Sequence, residues 1–145
     1  MPNQNKNSKS YSADDVAYDN IYYENYNGSA YGRSPEWLSF FDKISENIIK
    51  LLSPKTVLDV GCAYGLLVET LRDRGIEAFG LDVSEYAISQ ARYDLQRYLF
   101  VDSILKPING RYDLIVSIEV IEHIEEKDTG TVINNMCNAS DQILL

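Results

Sequence analysis

The stretch "TVLDVGCAYGLLVETL", Thr56 to Leu71, contains the clearest structural signal of the sequence. It begins with apolar, β-compatible residues, passes through a turn of small residues and continues with apolar residues at helical spacing. The turn has the form G-x-A-x-G, with glycines at 61 and 65 and Ala63 between them. This order predicts a strand, a tight turn that lets a ligand approach the backbone, and a helix whose N-terminus faces that ligand.

The chain that follows this stretch alternates between apolar runs and helical patterns. Gly75 is typical of a helix C-cap, Ser84 of an N-cap, and Lys106 to Gly110 of a turn. Apolar strands that alternate with helices favour an α/β fold with a parallel sheet covered on both faces. The predicted strands lie near 56–60, 77–82, 98–102, 112–118 and 141–145, and the predicted helices near 65–74, 85–96 and 127–139.

The residues before this core divide into two parts. Residues 1–12 are polar and predict a disordered tail, whereas residues 13–54 contain a tyrosine-rich segment and then a helix from Ser34-Pro35 to Ser53-Pro54. The tyrosine-rich segment is interpreted either as a cover folded over a ligand or as a strap packed on the protein's own core. Its five tyrosines are Tyr18, Tyr22, Tyr23, Tyr26 and Tyr31.

Composition excludes several classes of function. The 145 residues are 45% hydrophobic, which suits one globular domain, and the net charge of -9 predicts no binding to nucleic acid or to an anionic membrane. Cys62 and Cys137 are too few for a disulfide framework, and with His123 as the single histidine no metal site is expected. There is no apolar run of about 18 residues and no apolar signal core, so we expect a cytoplasmic protein.

Carboxylates stand at the ends of several predicted strands. In an open parallel sheet, ligands bind beyond these carboxyl ends, at the point where the strand order reverses. The residues there are Gly61 to Gly65, Asp82 with Val83, Asp102 with Ser103, and Ser117 to Glu119.

The spacing of these acids indicates which ligand they suit. Asp82 lies 21 residues after Gly61, where a carboxylate can accept the two hydroxyls of a ribose, although a helix cap is the alternative interpretation. Asp102 could accept from an exocyclic amine. Asp59 and Glu119 create a negative pocket that favours an ammonium or sulfonium and repels a diphosphate.

Four segments of the sequence, in this order, resemble the motifs of one family. The segments "VLDVGCAYG", "FGLDVSEYAI", "FVDS" and "YDLIVSIEVIEHI", within residues 55–145, resemble the successive motifs of class I S-adenosylmethionine-dependent methyltransferases of the "-EHI" subgroup. The resemblance implies a Rossmann-like, doubly wound parallel sheet of about five strands with an N-terminal helical lid. It also implies S-adenosyl-L-methionine as cofactor and S-adenosyl-L-homocysteine as product.

The resemblance assigns roles to individual residues. The loop from Asp59 to Gly65, with Cys62 and Ala63, would hold the methionine part, and the region from Ser117 to Glu119 would lie beneath the sulfonium. The lid would contribute Tyr31 and Arg33. The remaining pairs are Asp82 with Val83 for the ribose and Asp102 with Ser103 for the adenine.

The sequence departs from the family pattern in two places. Ala63 stands where the family usually has glycine, so we expect retained but weakened binding. The family domain has seven strands, whereas this chain stops at "DQILL", inside the fifth predicted strand. We therefore expect a domain that lacks its C-terminal strands, binds the cofactor with little methyl transfer, and self-associates through an edge strand beginning at Gln142.

These residues are compatible with three functions. A methyltransferase acting on a small molecule is favoured; in it His123 would be the general base, with a structural anchor as the alternative role. A cofactor-binding module without activity is the second possibility. A nucleotide-dependent oxidoreductase is disfavoured by Asp59 and by Leu66, which stands where a dinucleotide fingerprint has glycine or alanine.

Overall fold

The computed structural model describes residues 20–24 and 30–145. The predicted tail over 1–12 and two of the five tyrosines, Tyr18 and Tyr26, lie outside the described residues. The helices are α1 Asn20–Glu24, α2 Pro35–Leu52, α3 Leu66–Asp73, α4 Glu85–Ser89 and α5 Glu126–Ala139. The strands are β1 Thr56–Val60, β2 Glu77–Asp82, β3 Leu99–Val101, β4 Leu114–Val116 and β5 Ile143–Leu144. Short 3₁₀ helices cover Tyr93–Tyr98 and Ile121–His123.

The five strands form one parallel sheet in the order β3-β2-β1-β4-β5. In the central register Asp59 of β1 lies between Gly80 of β2 and Val116 of β4. The strand order reverses between β1 and β4, so the crevice for a ligand lies above that pair. This arrangement confirms the predicted α/β fold with its doubly wound parallel sheet.

Alternate residues of the central strands face opposite layers of helices. Val57 and Val116 pack with α2 and α3, whereas Leu58 and Ile115 pack with α5 through Val132 and its neighbours. Both faces of the sheet are therefore covered, which explains why the strands are apolar on both sides.

Asp113 joins the starts of the two central strands. Its carboxylate accepts hydrogen bonds from the backbone N–H groups of Lys55 and Thr56 at 2.8 and 3.0 Å, and its own N–H donates to the Thr56 hydroxyl at 2.9 Å. These contacts fix the register of β1 against β4 at the end of the sheet opposite the crevice.

The predicted caps are present. The Ser34 hydroxyl accepts from the Trp37 N–H at 3.3 Å, and the Ser84 hydroxyl accepts from the Ala87 N–H at 3.0 Å. Gly75 has a φ of +86° after α3, and the bonds from its N–H to Arg72 and from the Ile76 N–H to Leu71 complete a Schellman motif.

The continuous helix predicted over 85–96 is wrong. Helix α4 ends at Ser89, and a 3₁₀ helix over Tyr93–Tyr98 follows an extended residue, Arg92, with φ −50° and ψ 128°. The Arg92 guanidinium is held by both Asp73 and Asp94 at 2.8 Å, which favours this break in the backbone. The Gln96 side-chain amide donates to the carbonyls of Ser89 and Ala91 that the break leaves without helical partners.

Candidate functional site

A cleft of about 410 Å³ opens at the carboxyl ends of the central strands. It contains all but three of the residues predicted to form the site. Those present in its lining are Tyr31, Asp59, Gly61, Cys62, Ala63, Asp82, Val83, Asp102, Ser103, Glu119 and His123.

The turn after β1 brings backbone close to the cleft. Gly61 has a φ of +77°, and a methyl group there would collide with Val120, so glycine is required on both conformational and steric grounds. Ala63 is also left-handed, with a φ of +47°, and its N–H donates to Asp82 Oδ2 at 2.8 Å. The turn therefore keeps its conformation with alanine at position 63.

Asp82 is held rigidly at the end of β2. Its carboxylate accepts from the N–H groups of Ala63 and Ser84, each at 2.8 Å, and only 8% of the residue is exposed. Burial raises its pKa, and the backbone hydrogen bonds act in the opposite direction. Each carboxylate oxygen retains acceptor capacity for a ligand hydroxyl.

Asp59 lies deeper, beside Asp82, and is 6% exposed. Burial, with a further contribution from the neighbouring Asp82 charge, raises the pKa of Asp59 to about 8. This shift favours the protonated form of Asp59 at neutral pH. A ligand cation placed beside it would favour the ionised carboxylate.

Asp102 differs from these two acids because it lies at the solvent-exposed rim. It accepts hydrogen bonds from Lys106 Nζ at 2.6 Å and from the Ser103 N–H at 2.8 Å. The Lys106 hydrogen bond, followed by that of Ser103, lowers the pKa of Asp102. This carboxylate is therefore ionised at neutral pH.

Tyrosines from the N-terminal segment form one wall of the cleft. Tyr23 is 5% exposed, and its ring lies 5.0 Å from Tyr64, 5.9 Å from Tyr31 and 6.3 Å from Tyr86. We call these four residues the tyrosine cluster. The Tyr31 N–H donates to the Tyr23 carbonyl at 2.8 Å, which ties α1 to the segment before α2.

Several lining residues were not predicted. Tyr22 and Tyr23 belong to the tyrosine-rich segment, but nothing in their spacing distinguishes them from the other tyrosines of that segment. Helix α2 contributes aromatic residues whose helical spacing predicts a packing face rather than a ligand wall. They are Trp37, Phe40 and Phe41.

The segment after β4 carries acids and the single histidine. Glu119 has a φ of +55°, which is unusual for a residue other than glycine and is typical of a site under local strain. A hydrogen bond with Glu122 is the main cause that raises the pKa of Glu119, and His123 acts in the opposite direction. His123 lines the same part of the cleft.

Three predicted residues lie outside the cleft lining. Arg33 is turned away to Glu69, with 2.7 Å between Nη2 and Oε1. Gly65 begins α3 with a φ of +68° and faces Leu99, whose Cδ1 would lie 2.9 Å from an added methyl group. Ser117 is buried, its N–H donates to the Leu144 carbonyl, and its hydroxyl has no partner among the described residues.

The described residues contain no group of histidine, cysteine and acidic side chains that could hold a metal ion. Cys62, although it lines the cleft, is 4% exposed, and burial together with Asp59 and Asp82 raises the pKa of its thiol. This thiol is therefore a packing group rather than a nucleophile. None of the helices in the described part of the chain is long and apolar enough to cross a membrane.

The relatives found by sequence and those found by structure are both methyltransferases. The chain is 32% identical over 101 residues to a ubiquinone biosynthesis O-methyltransferase of Nitrosomonas europaea, an alignment that covers 64% of this chain and 41% of the relative. The chain thus spans about two fifths of that relative's length.

Two solved structures share the fold at low identity. An amino pentose methyltransferase from Micromonospora echinaspora matches with a TM-score of 0.64 and 19% identity, covering 85% of this chain and 52% of that one. A magnesium protoporphyrin IX methyltransferase from Synechocystis matches with a TM-score of 0.61 and 18% identity, covering 87% and 74%.

A family model described as a methyltransferase domain matches residues 30–140. This match includes every strand up to β4, the helix α5 and the whole of the cleft apart from the tyrosines of α1. The chain belongs to the methyltransferase domain family.

Proposed function

We propose that this chain binds S-adenosyl-L-methionine in the cleft and transfers its methyl group to a small acceptor, with S-adenosyl-L-homocysteine as product. The observation that carries the proposal is the meeting of Asp59, Asp82 and Asp102 at one cleft beside a turn of exposed backbone. The cofactor supplies a methyl group on a positively charged sulfur. Both solved structures described above were crystallised with S-adenosylmethionine.

The depth of each acid suggests its role. Asp59, buried and close to the turn at 61–63, would face the ammonium of the methionine part. Asp82, with Val83 beside it, would accept the ribose hydroxyls, since its backbone hydrogen bonds already orient both oxygens. Asp102 and Ser103 at the rim would meet the adenine amine.

Gly65, Ser117 and Arg33 act indirectly in this proposal. Gly65 allows α3 to approach β3 through Leu99, and Ser117 holds β4 against β5. Arg33 stabilises the segment that carries Tyr31. Glu119 remains at the cleft, near the position proposed for the sulfonium.

The acceptor is proposed to be small, and either uncharged or cationic. Among the described residues that line the cleft there is no lysine or arginine to receive an anionic group, and six aromatic side chains share the lining with the acids. The relative from Nitrosomonas europaea is named an O-methyltransferase, which supports a hydroxyl as the methylated group. The chain's own contribution would be to align that hydroxyl and remove its proton.

The cofactor assignment is tested by calorimetry with S-adenosylhomocysteine. Asp82→Ala should weaken binding at least about tenfold, because it removes charge-assisted hydrogen bonds worth roughly 1.5–3 kcal/mol each. Asp42→Ala, which changes an exposed acid on α2, is the matched control and should bind as the wild type does. A wild-type protein that binds NADH but not S-adenosylhomocysteine would overturn the proposal.

His123 is proposed as the general base, because it lines the cleft near Glu119. His123→Ala should lower turnover by roughly 10²–10⁴ while cofactor affinity stays close to that of the wild type. A screen of phenolic and amine acceptors supplies the substrate for this measurement. Parallel losses of stability and of cofactor affinity would instead identify His123 as a structural anchor.

Two further properties are proposed. Cytoplasmic localisation is supported by two cysteines that are both free, and fractionation of cells expressing the protein tests it. Self-association through β5 is supported by the position of that strand at the edge of the sheet.

A further inference from the structure

Glu69 is a buried carboxylate that lies outside the cleft. It stands on α3, its side chain is 3% exposed, and it accepts hydrogen bonds from two arginines. Arg33 binds both of its oxygens, with Nη2 at 2.7 Å from Oε1 and Nε at 3.1 Å from Oε2. Arg92 Nη1 adds a further bond to Oε1 at 3.2 Å. Such a bidentate pair fixes direction as well as distance.

The two arginines belong to different segments of the chain, one before α2 and one after α4. Arg33 lies two residues after Tyr31, immediately before the cap of α2. Arg92 follows α4, which carries Tyr86, and it is further held by Asp73 through two bonds of 2.8 Å. Glu69 therefore connects the segment that carries Tyr31, which lines the cleft, with the segment that follows Tyr86, which packs against Tyr23.

The ion pair between Arg33 and Glu69 defines the position of a segment more closely than apolar packing would. Taking a carboxylate out of water is unfavourable, and a well-packed apolar side chain often stabilises a fold as well as a buried ion pair does. An ion pair between residues 36 positions apart instead defines where the segment at 30–34 lies over α3. That segment supplies the Tyr31 N–H which holds Tyr23.

We propose that Glu69 is a positioning residue for cofactor binding, which acts through Arg33 and Arg92 to hold the tyrosine cluster against the cleft. The inference rests on the proposed function. It assigns Arg33 a role at a distance from the ligand, in place of the direct contact expected from the family resemblance.

Trp37 gives a direct signal from this region. It is the single tryptophan of the chain, its Nε1 donates to the Ala30 carbonyl at 3.2 Å, and its ring lies 4.9 Å from Tyr31. Its fluorescence therefore reports whether the segment at 30–34 stays in place. Because Arg33 is 47% exposed, Arg33→Gln breaks the pair with little effect on packing.

The experiment compares Arg33→Gln with Arg74→Gln. Arg74 forms a bidentate ion pair of similar length with Asp42, at 2.8 and 2.9 Å. That pair joins the end of α3 to α2, but it is exposed and lies outside the cleft lining. Stopped-flow fluorescence of Trp37 measures association and dissociation of S-adenosylhomocysteine for each variant. Glu69→Gln is measured together with its urea unfolding midpoint.

For Arg33→Gln we expect an emission maximum at longer wavelength and dissociation faster by about tenfold, equivalent to about 1.4 kcal/mol. Arg33→Lys should restore part of the loss, and Arg74→Gln should match the wild type. Unchanged emission and dissociation in Arg33→Gln, or equal changes in Arg74→Gln, would overturn this inference but leave the proposed function unaffected. A wild type that does not bind S-adenosylhomocysteine would overturn the proposed function and this inference with it.

Discussion

At the scale of single residues, the cleft places two acids in different electrostatic environments. Asp59 is buried and its pKa is raised to about 8, whereas Lys106 lowers the pKa of Asp102 at the rim. The first carboxyl can change its protonation state when a cation binds, and the second stays ionised throughout. We therefore expect a cation that binds beside Asp59 to release its proton.

This coupling predicts the pH dependence of stability. The folded-state pKa of Asp59, about 8, lies above the unfolded value near ~3.9. The folded protein thus binds more protons between these values, so Asp59 makes the free energy of unfolding fall as pH rises, by at most about 1.4 kcal/mol per pH unit. Asp59→Asn should therefore be more stable than the wild type at pH 8 and close to it at pH 4.

Urea unfolding at several pH values measures the difference in stability between Asp59→Asn and the wild type. Cofactor affinity should also fall in Asp59→Asn. Asp42→Asn is the matched control, because its carboxyl is exposed and a hydrogen bond from Arg74 lowers its pKa. This control should show no gain in stability at pH 8. A constant difference between wild type and Asp59→Asn across the pH range would contradict the assignment.

Residues whose positions depend on local sequence could be predicted, whereas residues whose positions depend on distant partners could not. The position of Asp82 at the cleft was predictable because it depends on one strand, one turn and their spacing. The pairing of Arg33 with Glu69 was not, since nothing local to either residue specifies a partner 36 positions away. The same limit applies to Tyr23, whose burial depends on Tyr64 and Tyr86 from later elements.

At the scale of elements, periodicity predicted the central strands well and the helix at 85–96 poorly. Leu114 to Val116 is a continuous apolar run, and Val57 to Val60 is apolar apart from Asp59; such runs identify buried strands. The end of α4 depends instead on Arg92 and its acidic partners, one of which lies on α3. Helical spacing of apolar residues contains no information about that contact.

The close packing of β2 around Gly80 leaves no room for a larger side chain there. A methyl group at Gly80 would lie 2.6 Å from Cys62 Sγ and 2.7 Å from Leu99 Cδ2, so Gly80→Ala should reduce the free energy of unfolding by about 1–3 kcal/mol. Gly130 in α5 has no neighbour within 4 Å of such a methyl group. There, Gly130→Ala should add about 0.5–1 kcal/mol.

Thermal and urea denaturation of the two glycine variants provide the comparison. Cofactor binding should also weaken in Gly80→Ala, because Cys62 must shift and it belongs to the cleft turn. Equal stabilities for the two variants would show that the core around Leu99 adapts more readily than the distances indicate.

At the scale of the whole molecule, both edges of the sheet carry exposed apolar side chains. Phe100 and Val101 on β3 are 45% and 53% exposed, and Leu144 and Leu145 at β5 are 38% and 64% exposed. Unpaired strand edges of this kind bind other strands unless charges prevent it. We expect association through β5, because the chain continues past Leu144, the last residue paired with β4, to the exposed Leu145.

Sedimentation of two matched variants separates the edges. Leu144→Lys should shift the protein towards monomer, and Val101→Lys should leave the association unchanged. The reverse result would assign the interface to β3, and a wild type that stays monomeric at high concentration would refute self-association.

The hydrogen bonds of Asp113 to the start of β1 also bear on how the chain folds. They join residues 57 and 58 positions apart, and all of β2 and β3 lies within the loop that they close. Loop closure of this length opposes early pairing, so β1 and β4 should pair late in folding and the domain should fold more slowly than a helical bundle of equal length. The cleft lies across these two strands. The protein should therefore become able to bind a ligand only in the last kinetic phase of refolding.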